Sequence, residues 1–287
     1  THSIINSIGK GALLDYVIID EASQQDIVPG ILGLGCARNV IVVGDRKQLP
    51  HVPVLLPNSP SPPAEYYNCE KYSLLDSVCM LFRNMVPVTL LKEHYRCHPK
   101  IIQFCNKQFY DNALIPLTVD SGEASLSLVI TAKGNHTRNF SNLRELESLE
   151  GHYWDEESSR GYIAPYNAQV NLAEKVLPAD FVKSTVHKFQ GRECDEIVFS
   201  TVLDKKRSSQ HSRNIAFVDP ELVNVAVSRA RNKFTLVTGN DVFERHAGHI
   251  AALIRYIKYY ADDGEIFESP VISAFDLLYS EYDKSLE

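Results

Sequence analysis

Two adjacent carboxylates, Asp20 and Glu21, end the apolar run "DYVIID". In open α/β sheets, ligands sit beyond the carboxyl ends of the strands. There one carboxylate can hold magnesium while its neighbour orients or deprotonates an attacking water, which is the chemistry of nucleotide hydrolysis. The plainer alternative is that the pair caps a helix beginning near Ser23, and "DEA" alone does not choose between the two. A second β-branched run, "NVIVVGD", ends on Gly44 and Asp45, with Gln48 in the turn that follows. A glutamine there can hydrogen-bond a terminal phosphate or an attacking water, or it can simply belong to a surface turn.

Three more clusters follow. Arg96, in "LKEHYRCHPKIIQFCNKQFY", stands between a strand and a helix. It can reach a phosphate as an arginine finger or pair with a carboxylate on the surface. In "STVHKFQGRECDEIVFS", Gly191 permits close backbone approach to a ligand, and Glu193 can accept from ribose hydroxyls. Thr185 and His187 can contact a backbone phosphate, or the whole segment can be a hairpin-like turn. In "LVNVAVSRARNKFTLVTGN", Arg229 and Arg231 are expected on one helix, facing different sides. They can serve a cleft or complement the helix dipole.

The elements that must carry these residues alternate between strand and helix, which predicts parallel sheets. "YVIID", "NVIVVGD" and "PVTLL" read as strands of a first unit, with "YSLLDSVCMLF" as a helix. The prolines of "LPHVPVLLPNSPSPPAEYY" predict an exposed loop between them. In a second unit the expected strands are "ASLSLVIT", "GYIAPY", "FVKSTV", "DEIVFSTVL" and "KFTLVTG". The expected helices are "HPKIIQFCNKQFY", "NLRELESLEG" ending on Gly151, "NAQVNLAEKVL", "DPELVNVAVSRARN" with Asp219 as N-cap, and Val242 to Tyr260.

The 287 residues suffice for one large or two ordinary domains, and 44% hydrophobic with 23% charged residues is a globular balance. No apolar run approaches the ~20 residues of a membrane helix, and no secretory signal is visible. The net charge of −7 gives no bulk support to nucleic-acid binding, although a local basic groove remains compatible with it. The six cysteines lack zinc or disulfide-framework spacing and read as reduced thiols of an intracellular protein.

Taken in order, "VIIDEASQ", "IVVGDRKQLP", "LKEHYRCHPKIIQFCNKQFY", "GYIAPYNAQ", "STVHKFQGRE" and "NVAVSRAR" resemble motifs II to VI of the superfamily 1 helicases. The resemblance is to the branch that contains the RNA helicase of nonsense-mediated decay, and it spans about Tyr16 to Asn240. It implies an α/β fold of the P-loop NTPase type with RecA-like parallel sheets flanked by helices. The expected domains are 1–92 as the later part of a first RecA-like domain, 93–262 as a complete second one, and 263–287 as a tail.

The resemblance also implies ATP and Mg2+ as cofactors, single-stranded DNA or RNA as partner, and translocation with unwinding from 5′ to 3′. By similarity Asp20 would bind magnesium, Glu21 would be the catalytic base and Gln48 would sense the γ-phosphate. Tyr95 would stack near adenine, Arg96 and Arg229 would be arginine fingers, and Gly191 and Glu193 would lie at phosphates and ribose. Tyr166, Gln169, Thr185 and His187 would face the nucleic acid. The location implied is cytoplasmic, or nucleoid-associated in a bacterium.

One departure matters. No G-x-x-x-x-G-K-[ST] occurs. The only Gly-Lys, Gly9-Lys10, lacks the first glycine (Ile4) and the following hydroxyl residue (Gly11). "APY" for "TPY" and "SRAR" for "TRAR" are small changes. The expectation is therefore a fragment of a helicase that lacks ATPase activity alone, the P-loop being supplied by a preceding part of the same protein. The competing class is a non-hydrolysing nucleic-acid-binding or regulatory module. A P-loop kinase is disfavoured, because the two cleft arginines and "QGRE" have no role there.

Overall fold

The computed structural model describes residues 7–8, 12–53, 61–132, 136–150, 152, 154–155, 157–203, 219–239, 242–243 and 248–269. The chain divides into two compact units, Thr1–Leu91 and Lys92–Glu287. The Gly9-Lys10-Gly11 segment and Gly151 lie outside the described residues.

In the first unit, β1 (Leu14–Ile19) pairs in parallel with β2 (Ala37–Val42), Leu14 opposite Ala37 and Ile19 opposite Val42. Between them runs α1 (Ile27–Leu34), capped by the Asp26 carboxylate, which accepts the Val28 N–H at 2.8 Å. The helix begins four residues later than Ser23 and has its own cap, so the Asp20-Glu21 pair does not cap it. A capping box of Ser73 and Asp76 starts α2 (Leu74–Phe82). The two helices meet at Gly30, where a Cβ would lie 2.8 Å from a Leu74 methyl. Alternation along β1 sends Val17 and Ile19 into the core with Ala22, Cys36 and Leu74, and leaves Tyr16 and Ile18 exposed.

Two expectations fail here. "PVTLL" is not a strand: no described neighbour offers it a ladder, and Val88 and Leu91 are exposed. The proline segment is not exposed throughout, because Leu49 and His51 are buried and the His51 ring Nε2 pairs with the Cys69 carbonyl at 2.9 Å. Its middle, 54–60, lies outside the described residues.

The second unit is built on an all-parallel six-stranded sheet. Its strands are β5 (Leu126–Thr131), β6 (Arg160–Ala164), β7 (Phe181–Thr185), β8 (Cys194–Ser200), β9 (Ala230–Gly239) and β10 (Ile266–Glu268). They lie side by side in the order β10-β5-β9-β8-β6-β7. A separate parallel pair joins β3 (Glu93–His94) to β4 (Ile115–Pro116). Because the sheet is covered on both faces, its strands are nearly continuous apolar runs. Tyr162, Ala164, Val198 and Val237 point toward α4 (Leu143–Glu147) and α5 (Asn167–Val176). Ile163, Ile197, Phe199, Phe234 and Leu236 are the buried residues of the opposite face. There the helices α3 (Pro99–Phe109), α7 (Pro220–Val227) and α8 (His249–Tyr260) pack together, while the short α6 (Val186–Phe189) packs against β6 and α7.

Several boundaries differ from the sequence expectation. α4 ends at Glu147, short of Gly151, with Ser148 closing on the Arg144 carbonyl. α7 ends at Val227, and Asp219 precedes it without a side-chain cap bond. α8 begins at His249 rather than Val242; Val242 and Phe243 are buried outside it. β10 was not expected: three exposed residues carry no periodic signal, and only the edge of β5 gives them a partner.

Candidate functional site

In the first unit, the turn after β1 lies against the turn after β2. The Ala22 N–H donates to the Val43 carbonyl at 2.9 Å. A Cβ on Gly44 would fall 3.0 Å from the Ser23 nitrogen and 3.2 Å from that of Ala22, so glycine permits this approach. Glu21 adopts a left-handed conformation, with φ of 52°, at the end of the strand. Such a conformation is uncommon for a non-glycine residue and concentrates at functional positions. It is held by Asp20 Oδ1, which accepts the Glu21 N–H at 2.8 Å, and by the Gln24 side chain, which donates to Glu21 Oε2 at 2.8 Å. Both carboxylates are exposed. Asp20 Oδ2 makes no hydrogen bond among the described residues, so a hard oxygen ligand of the kind Mg2+ takes is on offer. Gln48 is drawn back on its own turn, its amide donating to Asp45 Oδ2 at 3.2 Å.

In the second unit, the fold gathers Arg96, Gly191, Glu193, Arg229 and Arg231. Arg96 follows β3. Gly191 (φ 78°) and Glu193 precede β8, and Arg229 and Arg231 stand at the start of β9. All three segments lie at the amino ends of β8 and β9, which are neighbours. Glu193 forms an ion pair with Arg96 through Oε2 and with Arg231 through Oε1, the Arg231 Nε donating at 2.9 Å. Arg231 also reaches Asp195 at 3.6 Å, and Asp195 accepts from the Ser159 hydroxyl at 2.6 Å. The Arg231 hydrogen bond, then the Arg96, Arg231 and Arg229 charges, hold the Glu193 carboxyl below its ordinary range.

Arg229 and Arg231 are therefore not on two sides of one helix. Arg229 follows the helix, buried, with its Nε donating to the Val225 carbonyl at 3.3 Å, and Arg231 is a strand residue. The turn that carries Arg96 is fixed by His94. Burial, then the Arg96 and Arg229 charges, lower His94 to about 4, so the neutral ring Nε2 accepts the Cys97 N–H at 2.9 Å. The Tyr95 ring is exposed, and its hydroxyl donates to Glu93.

The residues expected to face nucleic acid are elsewhere. Tyr166 follows β6 and Thr185 ends β7, at the carboxyl edge of the sheet. His187 is exposed on α6, the short crossover from β7 back to β8. That crossover passes β6, so the segment is not hairpin-like. Gln169 must be corrected: it is 0% exposed, and its amide is consumed inside. Its Nε2 donates to the Tyr162 hydroxyl at 2.8 Å and to the Asn142 carbonyl at 3.2 Å, and its Oε1 accepts the Asn142 N–H at 2.7 Å. It organises the core and reaches no groove.

Sequence reasoning missed the buried Glu145. Its carboxylate accepts the Val202 N–H on both oxygens, at 2.9 and 3.1 Å, and the hydroxyls of Ser200 and Thr201. Val202 has φ of 67°, a strained conformation for a β-branched residue, two positions beyond the end of β8. Nothing in "NLRELE" marks one glutamate as internal. A cluster of His98, Asp120 and Glu123 has three ligand atoms within 4.8 Å. It does not suit a cation. The His98 Nδ1 accepts the Lys100 N–H, which leaves the proton of the neutral ring on Nε2, facing the carboxylates, and Lys100 sits 4.0 Å from Asp120.

Comparison with known proteins places the chain among helicase-like sequences. Residues 143–241 match a family described as an AAA domain. An uncharacterised ATP-dependent helicase of Methanocaldococcus jannaschii is 27% identical over 279 residues, covering 84% of this chain and 38% of that protein. The regulator of nonsense transcripts 1 homolog of Arabidopsis thaliana is 28% identical, covering 80% and 20%. Helicase sen1 of Schizosaccharomyces pombe is 32% identical, covering 78% and 14%. The chain thus spans less than two-fifths of the length of these relatives. An arterivirus nonstructural protein 10 helicase structure aligns with a TM-score of 0.44 at 13% identity, over 82% of this chain and 41% of that one. By its family match and these relatives, the chain corresponds to the C-terminal region of the superfamily 1 helicases, on the branch of the regulator of nonsense transcripts.

Proposed function

We propose that the chain is the C-terminal motor portion of an ATP-dependent helicase that moves along single-stranded DNA or RNA from 5′ to 3′. Residues 1–92 are the later part of a first RecA-like domain, 93–262 are the second, and 263–287 are a tail. The observation that carries this reading is the convergence of Arg96, Arg229, Arg231 and Glu193 beside Gly191 at the amino ends of β8 and β9. Three guanidinium groups around one carboxylate form a site for a polyanion that also carries hydroxyls, and a nucleoside triphosphate fits that description.

In this reading Asp20 holds Mg2+, Glu21 accepts the proton of the attacking water, and Gln48 senses the terminal phosphate. Arg96 and Arg229 stabilise charge, while Tyr95 and Glu193 take the base and ribose. When bound, the magnesium ion supplies charge neutralisation at the phosphates. Tyr166, Thr185 and His187, near the other edge of the sheet, are the nucleic-acid residues; Gln169 is not among them. No helix of the described residues is long and apolar enough to cross a membrane.

The chain alone is expected to show no ATPase activity, since it contains no G-x-x-x-x-G-K-[ST]. The test is hydrolysis by the chain and by a longer protein carrying that loop, with single-stranded DNA and RNA compared. In the longer protein Glu21→Gln is expected to bind ATP without turnover. Unchanged turnover would remove Glu21 from the base role. The competing reading is a module that binds nucleic acid without hydrolysis. A longer protein that binds single strands yet never hydrolyses ATP would establish it.

A further inference from the structure

Arg96 has two partners to choose between: the Glu193 carboxylate it now holds, and the phosphate that the proposed function assigns to it. The same carboxylate is gripped from the other side by Arg231, through Oε1, while Arg96 takes Oε2. Arg231 is anchored in turn by Asp195, whose other oxygen is fixed by the Ser159 hydroxyl at 2.6 Å and the Ser159 N–H at 2.9 Å. The Arg231 carbonyl accepts the His98 N–H at 2.6 Å, tying the start of β9 to the segment that carries Arg96. The row Ser159–Asp195–Arg231–Glu193–Arg96 therefore runs from the residue just before β6, a strand inside the sheet, to a half-exposed guanidinium, 44% exposed in its side chain.

We propose that Arg231 is a positioning residue that fixes Glu193, and that Glu193 parks Arg96 in an ion pair that an incoming phosphate must break. The inference rests on the nucleotide reading of this site. Its chemistry is an exchange of partners for one guanidinium, carboxylate out and phosphate in. No covalent bond changes. The carboxylate remains neutralised after the exchange, because Arg231 still holds it. Glu193 would thus serve twice, as a brake on Arg96 before the anion arrives and as an acceptor for ribose hydroxyls afterwards. Arg231 makes the second role possible by keeping the carboxylate in place when Arg96 leaves.

The experiment uses the full 287-residue chain and two readouts. In nitrogen-15 NMR, the Arg96 Nε–H is expected to be resolved and slow to exchange in the native chain, and averaged with solvent-exposed arginines in Glu193→Gln and in Arg231→Ala. Calorimetric titration with inorganic tripolyphosphate, which has neither ribose nor base, is expected to show about fivefold tighter binding to Glu193→Gln than to the native chain. Fivefold is the factor released by losing one exposed ion pair. The gain is expected to vanish in the Arg96→Ala, Glu193→Gln double variant. Equal tripolyphosphate affinity in native and Glu193→Gln chains, or binding to neither, overturns the exchange. An Arg96 signal equally protected in Glu193→Gln overturns the parking. Failure of the nucleotide reading is separate: ATP binding by the P-loop-containing protein that is indifferent to Arg96→Ala would sink that reading and leave the NMR result standing.

Discussion

Substituting Glu145 by glutamine should alter how the stability of the second unit depends on pH. Burial raises this carboxyl from the ordinary 4.5 to about 7, against the lowering effect of its bonds to Ser200, Val202 and Thr201. The folded chain therefore keeps a proton between those two values that the unfolded chain has lost. Stability from this group is fully present below about 4.5 and falls as pH rises toward 7. At about 1.4 kcal/mol for each pH unit, the loss is about 3 kcal/mol. In Glu145→Gln the amide oxygen can still accept from Val202 and its NH2 can donate to the Thr201 hydroxyl, so the fold persists and the titration disappears.

Trp154 is the only tryptophan, and it packs edge-on against Phe181 at 5.3 Å. Urea unfolding followed by its fluorescence therefore reports on the second unit. His94 acts in the opposite direction over the same range: its folded value of about 4 lies below the ordinary 6.5, so its stabilisation is present above 6.5 and is lost as pH falls toward 4. The native curve is accordingly shallow, and the quantity to read is the difference between native and variant. Relative to native, Glu145→Gln should gain about 3 kcal/mol between pH 5 and 8. A constant difference across that range, or one of opposite sign, would show that Glu145 is ionised in the fold and would refute the reasoning.

Other substitutions bear on separate parts of the structure. His94→Gln should remove the acid loss between pH 6.5 and 4, so that the variant's stability, normalised at pH 8, declines less than the native protein's on acidification; identical declines would show that His94 is not held neutral. Gly161→Ala would place a Cβ 2.6 Å from Ile197 Cδ1 and 2.7 Å from Phe189 Cζ in the sheet core, costing about 1–3 kcal/mol in the same urea assay. A neutral result would mean that the β6–β8 face is looser than described. Gln169→Leu should cost about 1–3 kcal/mol by stranding the buried Asn142 N–H. A residue whose role was surface contact with nucleic acid would cost almost nothing.

The sequence by itself determined the parallel sheet and the order of the chemical residues. Strands buried on both faces must be apolar throughout, and "GYIA", "DEIVFS" and "KFTLVTG" announce that without any knowledge of their neighbours. Pro99 at the first turn of α3 is equally local, since its missing N–H costs nothing there. The chemistry of Asp20, Glu21, Arg96 and Glu193 was legible as side-chain types following strands. Tertiary structure decided which of them meet. Arg96 and Glu193 are 97 positions apart, and their pairing depends on the register of β8 against β9, which no local pattern encodes. It moved Gln169 from an expected groove into the core, and it placed Glu145 where an ordinary surface-type residue becomes an internal acid. It made a strand of Ile266–Glu268 by giving three exposed residues an edge to pair with, and withheld one from "PVTLL", which has none among the described residues. Burial and pairing belong to the assembled chain, because the free energy of a charge or a backbone N–H depends on what surrounds it.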